Sequence, residues 1–290
     1  MAGNIKVFLA NDSKQTIGGG WTFISNLEKA LKDDIDFVKG GEDCDIYFIS
    51  GATMVDRDNV KKAKELRKRI VLRVDNAPKN SRNRNTGTSR LKDFAEMADY
   101  VVYQSSWAKD YLDPWLMPKN AEVILNGVDT DIFKKGKSSI KKEGNPQYLY
   151  VRSSRDETKR WHEAWYQYQI IQRKQKDACL WIVGPFSPEQ KEYNFDFFMD
   201  EKYRYWGVID SKERMADIYR ATDVLLCPFY NDACSNVILE AMACGTKISL
   251  NMSGGNLDIA SYYKRHKKVP DLKYMRNKYL KVFKWLCQAR

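Results

Sequence analysis

The sequence predicts an α/β protein made of two doubly wound units in tandem. Three observations point there. Short apolar runs alternate with helical patterns along the chain, a polar stretch at 134–146 interrupts them, and the alternation then restarts. At 290 residues the chain also exceeds what a single core usually serves. Continuous apolar strands separated by helices indicate parallel sheets covered on both faces.

The elements follow in order. "IKVFLA" (5–10) is a first strand, "IGGGW" (17–21) a glycine loop, and Phe23, Leu27, Ala30 and Leu31 recur at helical spacing. "CDIYFIS" (44–50) is a strand and "DRDNVKKAKELRKR" (56–69) an exposed, charged helix. "IVLRVD" (70–75), "YVVYQS" (100–105) and "AEVILNGVD" (121–129) complete the first series. "KKGKSSIKKEGNP" (134–146) has no apolar periodicity and reads as a linker.

The second series opens with "QYLYVR" (147–152) and a helix at 161–175, whose Trp161, Ala164, Trp165, Tyr168 and Ile171 form one core stripe. It continues through strands at 179–184 and 206–210, a helix at 211–222, the strand "VLLCPF" (224–229), a helix from Ser235 and the strand "KISLN" (247–251). "LKYMRNKYLKVFKWLCQAR" (272–290) reads as a helix with Leu272, Met275, Tyr279, Val282, Phe283 and Leu286 on its apolar side. The expected division is a first domain at 1–133, the linker at 134–146, a second domain at 147–270, and a final helix at 271–290 returning to the first domain. A basic membrane-surface helix is the alternative for that last segment.

Composition narrows the function. No apolar run approaches the roughly 18 residues of a membrane span, and the apolar run in "MAGNIKVFLAND" is too short for a signal peptide. A soluble, cytoplasmic protein is expected, with peripheral membrane contact as the variant. Cys44, Cys179, Cys227, Cys234, Cys244 and Cys287 show no metal spacing and read as buried free thiols. Two histidines, His162 and His266, exclude a histidine-rich metal site. The net charge of +11 favours anionic partners: phosphates, DNA or an anionic membrane.

Three stretches carry chemistry. Gly18, Gly19 and Gly20 follow the first strand and open a helix, where backbone N–H groups can approach a phosphate or sugar. They lack the G-x-G-x-x-G spacing of a nicotinamide site. "VRSSRDETKRW" (151–161) crowds Arg152, Arg155, Lys159 and Arg160 at a strand's carboxyl end, which suits a diphosphate. In "NDACSNVILEAMACGT" (231–246), Asp232 precedes a turn, Ser235 can cap a helix, and Glu240 lies within its apolar run. A carboxylate there needs hydroxyl or cationic partners, and sugar hydroxyls are such partners. On two facing sheets the natural site is the cleft between them.

This last stretch resembles the acid–x7–Glu motif of retaining GT-B glycosyltransferases of family 4, commonly "E-x-x-S-N-x-x-x-E-A-M-A-C-G-x-P". "VILNGVDTDIF" (123–133), "ERMADIYRATDVLLCPF" (213–229) and "SGGN" (253–256) are similar to other stretches of that family, in the same order. The resemblance implies two Rossmann-like domains, the first for the acceptor and the second for a nucleoside-diphosphate sugar. It implies transfer to a glycan acceptor with retention and without metal or cofactor. It also implies roles: Glu240 on the donor ribose, Asp232 at the transferred sugar, and Ser235 and Asn236 at the pyrophosphate. Lys159, with Arg155 or Arg152, would face the departing phosphate, and Gly18 to Gly20 would form the N-terminal glycine loop. Asp232 stands where the family usually has Glu, Asp75 where it often has His, and Arg155 and Lys159 are four apart where the family has five. A non-catalytic nucleotide- or polyanion-binding protein, a sugar-nucleotide epimerase, and a transferase acting on DNA or a lipid-linked acceptor are the alternatives.

Overall fold

The computed structural model describes residues 4–11, 18–75, 77, 84–152, 157–185 and 202–288. The chain divides into two compact units. The first comprises residues 1–127, 232–234 and 257–290, the second residues 128–231 and 235–256.

In the first unit, strands β1 (Ile5–Ala10), β2 (Ile35–Phe37), β3 (Ile46–Ile49), β4 (Arg69–Val74), β5 (Tyr100–Tyr103) and β6 (Ala121–Val123) form a sheet ordered β2-β1-β3-β4-β5-β6. All its pairings are parallel. Side chains alternate across this sheet, so each strand feeds two cores. Ile46 and Phe48 of β3 join Phe23, Leu27 and Leu31 of α1 (Gly19–Leu31) on one face. Tyr47 and Ile49 join the other face, under α2 (Arg57–Glu65), α3 (Arg84–Met97) and α4 (Ser106–Leu116). Asp56 caps α2 by accepting from Asp58 N–H, and Ser105 caps α4 by accepting from Ala108 N–H.

In the second unit, β7 (Gln147–Val151), β8 (Cys179–Val183), β9 (Tyr203–Gly207), β10 (Val224–Cys227) and β11 (Lys247–Leu250) form a parallel sheet ordered β11-β10-β7-β8-β9. Its helices are α5 (Trp161–Lys174), α6 (Lys212–Ala221) and α7 (Asn236–Cys244). The expected aromatic stripe of α5 is core: Trp161 packs on Tyr150, and Trp165 on Tyr168 and Tyr203. Gly245, at φ 90°, ends α7 in the left-handed conformation that favours glycine.

Several expectations are corrected. The strand expected at 206–210 lies at Tyr203–Gly207, and the one expected at 121–129 ends at Val123. The segment 134–146 is not a free linker, because it is bonded along the second unit. Ser138 Oγ donates to the Asp217 carbonyl at 2.9 Å, Lys142 pairs with Asp223 at 2.5 Å, and Glu143 accepts from Trp181 Nε1 at 2.9 Å. The second unit ends at Asn256, so all but the first residue of α8 (Asn256–His266) belongs to the first unit, rather than the boundary falling at 270.

The last helix, α9 (Leu272–Gln288), lies on the first unit's sheet. Its Met275, Tyr279, Val282, Phe283 and Leu286 are buried there beside Phe23 and Phe48. Arg276 pairs with Asp34 at 2.5 Å and Lys278 with Glu122 at 2.6 Å. The apolar side of α9 is therefore consumed inside the protein rather than offered to a membrane surface. No helix among the described residues is long and apolar enough to cross a membrane.

Candidate functional site

Open parallel sheets bind ligands beyond their carboxyl ends, where the strand order reverses. In the second unit that point lies between β7 and β10. β7 leads to Arg152 and then to a 3-10 turn at Glu157–Lys159, and β10 leads to Phe229 and Tyr230. The two loops are bonded together. Tyr230 N–H donates to the Thr158 carbonyl at 2.8 Å, and the Tyr150 hydroxyl donates to the Lys159 carbonyl at 3.0 Å. Lys159 Nζ lies 4.7 Å from the centre of the Phe229 ring, a cation–π contact that places its charge at the mouth of the switch point.

The other cations of this loop are disposed differently. Arg152, expected as a ligand group, is only 2% exposed. Its carbonyl oxygen sits where a Cβ on Gly184 would be 1.8 Å away, so only glycine fits position 184. Arg160 pairs with Glu163 and places its guanidinium 5.5 Å from the Tyr230 ring centre. Arg155 lies outside the described residues.

Helix α7 starts directly after the β10 loop. Ser235 occupies its N-cap position but makes no capping bond, contrary to expectation. Its hydroxyl is buried without a hydrogen-bond partner, among the first N–H groups of a helix that also lack intrahelical acceptors. Asn236, partly buried, is the first helical residue. Glu240, further along α7, accepts a 3.2 Å hydrogen bond from the Tyr219 hydroxyl of α6. Protein atoms surround its carboxyl closely although the residue keeps some exposure. That burial pushes its pKa from the ordinary 4.5 to about 7, against the opposing pull of Tyr219 and Lys212.

Tyr219 was not singled out from sequence. Its signal was a tyrosine in the core stripe of an amphipathic helix, since a buried phenol needs a partner for its hydroxyl. Thr246 Oγ1 donates to the Tyr219 carbonyl at 2.7 Å, which ties the end of α6 to the turn after α7.

In the first unit the strand order reverses between β1 and β3. Gly18 has φ 128°, which favours glycine, and Gly19 begins α1. A Cβ on Gly20 would lie 2.8 Å from Met54 Sδ. A Cβ on Gly51 would lie 2.8 Å from the Asp75 carboxyl, so the Asp75 side chain rests directly against the Gly51 backbone. Asp232 belongs to this unit, and its Oδ1 accepts from Cys234 N–H at 3.2 Å. The singled-out residues thus divide. Gly18, Gly19, Gly20, Asp75 and Asp232 are in the first unit, and Arg152, Lys159, Ser235, Asn236 and Glu240 in the second. Among the described residues no group of three or more His, Cys, Asp or Glu side chains could hold a metal ion.

Residues 146–261, which contain Arg152, Lys159, Ser235, Asn236 and Glu240, match the model of the family described as glycosyl transferases group 1. That part of the chain is similar to this family. The chain's fold is that of the GT-B glycosyltransferases. Sucrose-phosphate synthase from Thermosynechococcus elongatus superposes with a TM-score of 0.67 at 18% identity, over 99% of this chain and 92% of that one. Anabaena HepE in complex with UDP gives 0.66 at 12% identity, over 98% and 90%. The apo structure of OtsA gives 0.64 at 13% identity, over 97% and 99%. No curated protein sequence matches the chain. The Ser235–Glu240 stretch and Lys159 lie within the region that matches this family model.

Proposed function

We propose that this protein is a glycosyltransferase that moves a sugar from a nucleoside-diphosphate sugar to a hydroxyl of a glycan acceptor, with retention of anomeric configuration and without a metal ion. One observation carries the reading: a buried, unpartnered Ser235 hydroxyl at the start of the helix that also bears the desolvated Glu240 carboxyl. Five residues of helix rise about 7.5 Å, a span that suits a diphosphate at the helix start and a ribose at the glutamate. A carboxylate accepts two O–H bonds, so ribose hydroxyls would stabilise the charge that burial disfavours.

The chemistry follows from where charge develops. The bond from the sugar's anomeric carbon to the diphosphate oxygen breaks, and the negative charge grows on the leaving phosphate. Lys159, Arg155 and the N–H groups of α7 would take up that charge in place of a metal ion. The acceptor oxygen bonds to the anomeric carbon on the face the phosphate leaves, and its proton passes to the departing phosphate oxygen. Asp232 would contact the transferred sugar, and the glycine turn at 18–20 and Asp75 would lie on the acceptor side.

The test uses purified protein with a panel of nucleotide sugars. Thermal shift identifies the donor, hydrolysis of that donor measures turnover, and NMR of the released sugar reports its anomeric form. Slow hydrolysis with retention in excess chelator is expected. Nucleotide binding without hydrolysis of any donor would favour a non-catalytic binding protein, and an inverted product would overturn retention.

A further inference from the structure

The first unit buries an arginine that none of the roles above uses. Arg73, in β4, is 2% exposed; Asp75 is near enough to act on its charge, and neither of the hydrogen bonds described for its guanidinium goes to a carboxylate. Nη1 donates to the Ser50 carbonyl at 2.8 Å, Nη2 donates to Asn126 Oδ1 at 3.2 Å, and Nε has no partner. The guanidinium carbon lies 3.7 Å from the centre of the Phe23 ring. Burying a cation this way is costly, and an apolar side chain would fill the same place more cheaply. What only the arginine supplies is a set of donors with no acceptor.

That property settles the orientation of Asn126. Because a guanidinium can only donate, it must meet the oxygen of the Asn126 amide, which turns the amide nitrogen the other way. There Asn126 Nδ2 donates to the Cys234 carbonyl at 3.1 Å. Cys234 in turn donates its N–H to Asp232 Oδ1 at 3.2 Å. Every link lies in the first unit, and Arg73, Asn126 and Cys234 are all at least nine-tenths buried. The peptide groups that present Asp232 are therefore fixed from beneath by a buried cation acting through one amide.

We propose that Arg73 and Asn126 are positioning residues for Asp232: Arg73 sets the orientation of the Asn126 amide, and Asn126 holds the 232–234 turn so that the Asp232 carboxylate meets the sugar. This rests on the reading of Asp232 given under Proposed function. Neither residue touches the reacting atoms. Their effect is on where the carboxylate stands.

Asn126→Asp tests this on the full chain. The new carboxylate keeps an acceptor for Arg73, and even a better one, but it loses the donor to the Cys234 carbonyl. Turnover in donor hydrolysis should fall about tenfold or more while nucleotide affinity stays within about twofold and the thermal midpoint does not drop. In an Asp232→Asn background the same change should cost less than about twofold further, because its route to the chemistry is already gone. If Asp232→Asn alone leaves turnover unchanged, the reading of Asp232 fails. If Asp232→Asn lowers turnover but Asn126→Asp does not, or the two losses multiply, the positioning role is overturned. A parallel fall in thermal midpoint and nucleotide affinity would also overturn it, as the mark of a merely structural residue.

Discussion

The Tyr219 hydroxyl donates to the Glu240 carboxylate at 3.2 Å, and among the hydrogen bonds described it is the one that reaches that carboxyl. A single neutral donor does not compensate a carboxylate so enclosed, which is why burial outweighs it and the pKa rises to about 7. Burial thus disfavours the ionised Glu240 carboxyl at neutral pH and above.

A stability signature follows. Glu240's folded pKa lies above its unfolded value, so the fold is undisturbed below about pH 4.5 and loses stability as pH rises through about 7. The full shift corresponds to about 3 kcal/mol. Glu240→Gln should therefore raise the unfolding free energy of the ligand-free protein near pH 8 and change it little near pH 5, read by urea denaturation at both values. Equal effects at the two pH values would contradict the raised pKa.

Nucleotide binding should carry the opposite imprint. If ribose hydroxyls donate to Glu240, the ionised form binds, and affinity should fall about tenfold per pH unit below the pKa and level off above it. Tyr219→Phe removes the donor that favours the ionised form, so the midpoint should move upward. Calorimetric titration of UDP across pH would show both. Glu240→Gln is the control for the nucleotide's own titration, and a midpoint unmoved in Tyr219→Phe would argue against the coupling.

Lys159 Nζ lies 4.7 Å from the centre of the Phe229 ring, beside the switch point of the second sheet. Lys159→Ala should lower kcat for donor hydrolysis by about 100-fold while weakening nucleotide affinity by no more than about tenfold, since phosphate charge grows as the bond breaks. Turnover should survive excess EDTA. Loss of turnover on chelation would point to a metal in the leaving-group role.

The acceptor can be probed through charge. The lysines of 134–142 and the basic run at 262–268 suit a polyanion, whereas a neutral glycan needs neither. We expect binding to a neutral oligosaccharide acceptor to be nearly flat between low and physiological salt. Tight DNA binding that weakens by orders of magnitude over the same range would reverse the preference.

Phe283 is fully buried against Phe48 and Tyr279. Phe283→Ala should cost about 3–5 kcal/mol of stability, the usual range for removing a buried aromatic. A shift below 1 kcal/mol in chemical denaturation would mean that α9 contributes little to the first unit.

The strands were legible because both sheets are parallel, and strands buried on two faces appear as unbroken apolar runs such as Cys179–Val183. The edge strand β9 slipped because it is only half buried. Arg204 and Trp206 alternate with Tyr203 and Tyr205, and the expected strand was placed three residues later, at 206–210. Helix α3 escaped because its sequence is weakly amphipathic and contains Gly87 and two threonines. The segment 134–146 reads as a linker because its partners, Asp217, Asp223 and Trp181, lie 38 to 81 residues away in sequence. The same limit hid the roles of Tyr219 and Arg73. Tyr219 fits an ordinary core and Arg73 stands as a lone charge in an apolar strand, and only pairing across 21 and 53 residues reveals what they hold.

The first unit is assembled from residues 1–127, a three-residue visit at 232–234, and residues 257–290, which carry most of α8 and all of α9. Until α9 has left the ribosome, the sheet face bearing Phe48, Val71 and Val102 lacks half its cover, with α1 alone across it. The second unit is nearly contiguous and has no such wait. Synthesis therefore imposes an order in which the middle of the chain can mature before the start, while nascent residues 1–127 expose an aromatic surface that invites chaperones or aggregation.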